Sequence, residues 1–143
     1  MRNEIFLSFK IVGFDDSTHN ELSRQIGLTP SKVYIKGQRI NPKSDKLSEN
    51  NVCIIDVPSP QDINVNNQLH ALLDILEPRI PVQRGICQKY YCEISCAIYM
   101  YIGESTPWLH FDNRYNELIK ELNIEFDLDL YALNEQSQQT IDA

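Results

Sequence analysis

The chain has 143 residues, 42% hydrophobic and 23% charged, a balance that excludes a disordered segment and suffices for one buried core. No apolar run approaches the roughly 20 residues of a bilayer-spanning helix, and the N-terminal MRNEIFLSFKIVG lacks the apolar centre and cleavage site of a secretory leader, so a cytoplasmic protein is expected. The net charge of −7 lies in the C-terminal part, where residues 103–143 hold nine acids against Arg114 and Lys120; this excludes a general nucleic-acid binder and suits a basic partner or a solvated acidic surface.

Glu4 to Gly13 reads as the first strand, with Ile5, Leu7, Phe9 and Ile11 on one face and a turn at Asp15–Asp16–Ser17. A short helix follows, with Thr18 and Glu21 spaced as a capping box, Leu22 and Ile26 as an apolar pair, and Gly27 as C-cap. Lys32 to Lys36 is a second strand, and Gly37 to Asn51 is one long polar loop, of the kind that is either functional or mobile. Val52 to Val57 is a short buried strand stopped by Pro58 and Pro60. The clearest helix runs from Val65 to Glu77, where Val65, Leu69, Leu72, Leu73 and Leu76 form a stripe and Pro78 ends it.

Ile80 to Arg84 then leads into the longest regular run, Ile86 to Ile102. Even positions from Tyr90 on (Cys92, Ile94, Cys96, Ile98, Met100) are apolar, and odd positions carry Tyr91, Glu93, Ser95, Ala97, Tyr99 and Tyr101. This is expected to be the central strand. Its 17 residues would span about 55 Å, so a bulge, a sharp bend, or a short partner strand ending near Gln88–Lys89 is expected with it. After Gly103 the segment ESTPWLHFDN is irregular and holds the single tryptophan. A further amphipathic helix places Tyr115, Leu118, Ile119 and Leu122 inward, with Asn123 as its stop. Glu125 to Leu130 alternates as a last strand: Phe126, Leu128 and Leu130 inward, Asp127 and Asp129 outward. Residues 1–133 thus read as one domain and residues 134–143 as a frayed tail.

Two strand–turn–helix–strand units recur in this order, from LSFKIVG to KVYIK and from SCAIYMYIG to EFDLDLY, which suggests an internal duplication. The expected fold is α+β: a mostly antiparallel sheet with two to three helices packed on one face.

The candidate chemistry is sparse. His19, His70 and His110 form no metal-ligand spacing; His70 reads as a flank position beside Leu69. Trp108, His110 and Asp112 alternate along one extended segment, either as a ligand edge or as a core plug (Trp108) and helix cap (Asp112). Asp127 and Asp129, roughly 7 Å apart, could share a cation or do acid–base work, or form the solvated side of an edge strand. Cys92 and Cys96 are about 13 Å apart along the strand and Cys87 faces away unless a bulge intervenes, so Cys53, Cys87, Cys92 and Cys96 read as buried free thiols, with no metal and no cofactor expected. No phosphate loop, nucleophile elbow or HExxH signature occurs, and no enzyme is expected. The odd face of the long strand, with Tyr91, Glu93, Tyr99 and Tyr101, is the best candidate surface, unless a helix covers it.

The ordered features FKIVGFDDSTHNELSRQIGLTPSKVYIKG, NNQLHALLDILEPR and YMYIGESTPWLHFDNRYNELIKELNIEFDLDLY, over about residues 5–131, resemble the bacterial domain-of-unknown-function family numbered 4279. One departure stands out: VCIIDVPSP takes the place of a tryptophan-led W-x-L-S-type strand. The resemblance implies an α+β fold and supplies no catalytic residues; relatives of this size look like small accessory proteins of bacterial toxin and defence loci. The functional expectation is a non-enzymatic immunity-type protein that neutralises a basic toxin domain, with no nucleic-acid or membrane partner. Its expected contact residues are Tyr91, Glu93, Tyr99, Tyr101, Trp108, His110, Asp127 and Asp129. The alternative is a small-molecule or enzymatic domain with a pocket lined by Trp108, His110 and the strand tyrosines.

Overall fold

The structure is a computed structural model that describes residues 2–58 and 64–134. The elements are β1 (Glu4–Val12), α1 (His19–Ile26), β2 (Lys32–Tyr34), β3 (Val52–Asp56), α2 (Val65–Leu76), a 3-10 turn (Glu77–Arg79), α3 (Ile80–Lys89), β4 (Tyr91–Tyr101), α4 (Asn113–Glu121) and β5 (Glu125–Leu133). Pro60 and residues 135–143, part of the expected strand stop and nearly all of the expected tail, lie outside the described residues.

The first half folds as its local signals direct. Thr18 caps α1 in both directions: its hydroxyl accepts from the Glu21 N–H, and the Glu21 carboxylate accepts from the Thr18 N–H. Gly27 closes the helix in the left-handed conformation (φ 76°), which costs glycine no Cβ clash, and its N–H donates to the Ser23 carbonyl at 2.8 Å. The Gly37–Asn51 loop folds back on itself, with the Gly37 N–H on the Ser48 carbonyl (2.9 Å) and the Ser48 N–H on the Gln38 carbonyl (2.8 Å).

One expectation fails between Ile80 and Lys89. That segment is a helix, so the strand begins only at Tyr91. Pro78 and Pro81 fall in first turns of the 3-10 turn and of α3, where a missing N–H breaks no bond, so the helical path continues past them. Gln83, Ile86 and Cys87 then share the buried side at helical spacing. The chain leaves the helix at Tyr90, which is extended (φ −122°, ψ 162°). No bulge is needed, because the excess length was helical.

The sheet order is β2-β3-β1-β4-β5. Three strand pairs are antiparallel and β4–β5 is parallel, so the α+β sheet is mixed, not purely antiparallel. The cause is the connection through α4, which carries the chain back to start a strand in the same direction. The two strand–helix–strand units differ in pairing: β4 and β5 are neighbours, whereas β3 lies between β1 and β2.

Counted as bodies, the helices are α1, the continuous α2–α3 run, and α4. All bury their stripes on one side of the sheet, where Ile5, Leu7, Phe9 and Ile11 of β1 and Cys92, Ile94, Cys96 and Ile98 of β4 meet Leu22, Leu69, Leu72, Leu73, Leu76 and Leu118. Arg114 of α4 ties two of the bodies together: its Nε and Nη2 donate to the Glu77 carboxylate at 2.7 and 3.0 Å, and Nη2 also reaches Asp74. The cover stops short of the last strand. Phe111 and Tyr115 pack their rings on Phe126 (centroids 5.0 and 6.2 Å), but Leu128 and Leu130, expected inward, are 40% and 56% exposed. They project to the helix side of the sheet, beyond the reach of α4. Among the described residues, no helix is long and apolar enough to cross a membrane.

Candidate partner-binding face

No helix covers the other side of the sheet among the described residues, and its side chains follow from register. Cross-strand rows there read Lys10–Glu93–Glu125, Ser8–Ser95–Asp127, Phe6–Ala97–Asp129 and Glu4–Tyr99–Tyr131. Phe6 meets Tyr99 edge-on (5.8 Å, 82°), and Tyr99 stacks on Tyr131 (4.8 Å, 13°). Phe6 and Tyr131 remain 45% and 44% exposed. Small Ser95 and Ala97 leave a shallow floor between this aromatic line and Glu93.

Charge is uneven across the face. Lys10 and Lys32 share the β2 side with Asp56 and Glu4, whereas Glu93, Glu125, Asp127 and Asp129 gather toward β5 with no lysine or arginine among them. Lys10 Nζ and Glu93 form the boundary pair at 4.0 Å. Tyr91 donates its hydroxyl to Glu93 Oε2 at 2.8 Å. That acceptor, then burial and Glu125, holds the phenol well above its ordinary value, so Tyr91 stays a neutral donor.

The expected contact residues divide. Tyr91, Glu93, Tyr99, Asp127 and Asp129 share the open face. Tyr101 does not offer surface: it is 8% exposed, and its backbone N–H donates to Asn3 Oδ1 at 3.0 Å. Phe6 and Tyr131 were missed by the sequence reading. Period two carried through Asp127, Asp129 and Tyr131 would have found the latter. Trp108 is 67% exposed, not a core plug, and lies flat on the His110 ring (5.3 Å, 3°). No ring contact joins this stack to the sheet-face aromatics among the described residues. Trp108 borders a cleft of about 300 Å³ with Arg2, Asn3, Val65 and Glu104.

Asp112 makes its hydrogen bonds to Tyr115 and His70, not to Trp108 or His110. Its Oδ1 accepts from the Tyr115 N–H (3.0 Å) as N-cap of α4, and its Oδ2 meets His70 Nε2 at 2.5 Å. The cap bond and then His70 hold its carboxyl below the ordinary value of 3.8. A depressed folded value stabilises the fold at every pH above the unfolded value, and that contribution fades as the pH falls through the folded one. Asp112→Asn, which keeps a cap acceptor without the charge, is therefore expected to be less stable than wild type at pH 7. The gap narrows as urea midpoints are followed from pH 7 to pH 2.5; a gap independent of pH would show the carboxylate charge contributes nothing.

Cys87, expected to face away from Cys92, instead approaches it from α3, where its thiol donates to Gln83 Oε1 at 3.8 Å; the neighbouring thiol and then burial push Cys92 up. Burial alone raises Cys53 and Cys96 to about 11. All four are buried free thiols. No cluster of three His, Cys, Asp or Glu side chains able to hold a metal occurs among the described residues.

Neither the curated proteins nor the solved structures contain a match to this chain. One family model does match it, across residues 3–133, and the chain accordingly belongs to the family described as Domain of unknown function (DUF4279).

Proposed function

We propose that this chain is a cytoplasmic, non-enzymatic immunity-type protein that neutralises a cognate basic toxin domain on the uncovered face of its sheet. The observation that carries the reading is the face itself. Phe6, Tyr99 and Tyr131 lie in contact in the open, and the carboxylates of Glu4, Glu93, Glu125, Asp127 and Asp129 stand on the same side. Aromatic rings lose little freedom on docking and anchor interfaces, while flanking carboxylates steer a basic partner and set the salt dependence of encounter. The family resemblance, with its association with toxin and defence loci, supplies the class of partner. Co-expression with a secreted toxin domain encoded beside this gene is expected to restore growth. A neighbouring toxin that kills undiminished, or a metabolic operon at that place, overturns the reading.

A small-molecule site has the cleft beside Trp108 in its favour. Its lining, however, includes neither His110 nor a strand tyrosine, the side chains on which the small-molecule reading rested.

A further inference from the structure

The two edges of the sheet are finished differently. At one end β2 is three residues long and carries Lys32, both of which discourage another strand from pairing. At the other end β5 runs for nine residues, EFDLDLYAL, with no lysine, no proline and, among the described residues, no strand beyond it. Its hydrogen-bonding direction can be worked out. The Ile102 N–H donates to the Leu133 carbonyl at 3.2 Å, and Tyr101 is paired with Leu133. In a parallel ladder a residue directs both its N–H and C=O to the same neighbour, and such residues alternate. Odd-numbered residues from Glu125 to Leu133 therefore bond to β4. Phe126, Leu128, Leu130 and Ala132 direct their N–H and C=O groups outward from the edge.

We propose that this edge receives an antiparallel strand of the partner in which basic and apolar residues alternate. The inference rests on the basic-partner reading above and specifies how that partner is held. Along an antiparallel strand, the residues facing Asp127 and Asp129 occupy the close, non-hydrogen-bonded positions, about 4.5 Å between Cα atoms, where a lysine or arginine meets its carboxylate. The residues between them project to the helix side, over Leu128 and Leu130, which α4 leaves exposed. A second copy of this chain is the wrong occupant. In the fully overlapped two-fold pairing of β5 with itself Asp129 faces its own copy, and moving the axis to Leu128 sets Asp127 against Asp129; like charges directly opposite destabilise a strand pair.

The probe is a capped nine-residue peptide alternating lysine and valine, beside the same peptide N-methylated on the amides that would face β5. The expected result is binding of the plain peptide, with slowed exchange of the Phe126, Leu128, Leu130 and Ala132 amides, and at least tenfold weaker binding of the methylated one. Leu130→Pro removes one outward N–H without breaking a bond to β4, and is expected to weaken the plain peptide alone. Equal binding of both peptides would overturn strand addition while leaving charge-driven docking on the face intact. No binding of either overturns the edge inference, and the co-expression assay then judges the partner reading separately. Dimerisation of the free chain with protection of the same amides would overturn the choice of occupant.

Discussion

Leu72→Ala and Ile98→Ala are each expected to lower folding stability by about 2–5 kcal/mol, read as a fall in the urea midpoint at unchanged slope. Leu72 is fully buried on α2 and Ile98 nearly so on β4, where it sits opposite Ile5 of β1. Each truncation removes apolar contact and leaves a cavity that a sheet bonded on both sides cannot collapse to fill. Leu130→Ala is the informative contrast. Leu130 occupies the same face in the row of Ile5 and Ile98, yet it is exposed, so its loss is expected to cost only about 0.5 kcal/mol. Equal losses at Leu130 and Ile98 would show that something covers the end of β5; wild-type midpoints for Leu72→Ala and Ile98→Ala would mean that the faces are misassigned.

The second large effect is kinetic. Reversing both Asp127 and Asp129 to lysine is expected to leave the melt within a degree or two of wild type, because both side chains are exposed. Association with the proposed basic partner should slow at least tenfold at low salt, and the dependence of the rate on ionic strength should flatten. Dissociation should change less, because long-range charge acts mainly on encounter. An unchanged rate and slope would move the interface off the β5 side of the face, and a collapsed melt would mean that these carboxylates hold structure.

Much of this was legible residue by residue, and the parts that were not share a cause. Thr18 with Glu21, Gly27, the α2 stripe and the Asp112 cap are local devices whose partners lie within four positions in sequence, so their spacing reveals them. The start of β4 was misplaced because the apolar residues around Ile86 and Cys87 are compatible with either period over so short a run. Leu128 and Leu130 read as buried because alternation reports which side a residue faces, whereas burial depends on how far α4 reaches. The Asp112–His70 contact and the Phe6–Tyr99–Tyr131 line join elements far apart in the chain, and no spacing announces them.

The position of β1 has a consequence for the order of assembly. It lies between β3 and β4, with Glu4 opposite Tyr99, so the centre of the sheet joins residues separated by most of the chain. Closing so long a loop is paid in entropy before any contact repays it, and such topologies fold more slowly than helical chains of similar size. A nascent chain can pair β1 with β3 early, but that two-stranded ribbon has its apolar side only partly sheltered. On the ribosome the first strand must wait, half-paired, until the segment ending at Tyr101 has left the exit tunnel.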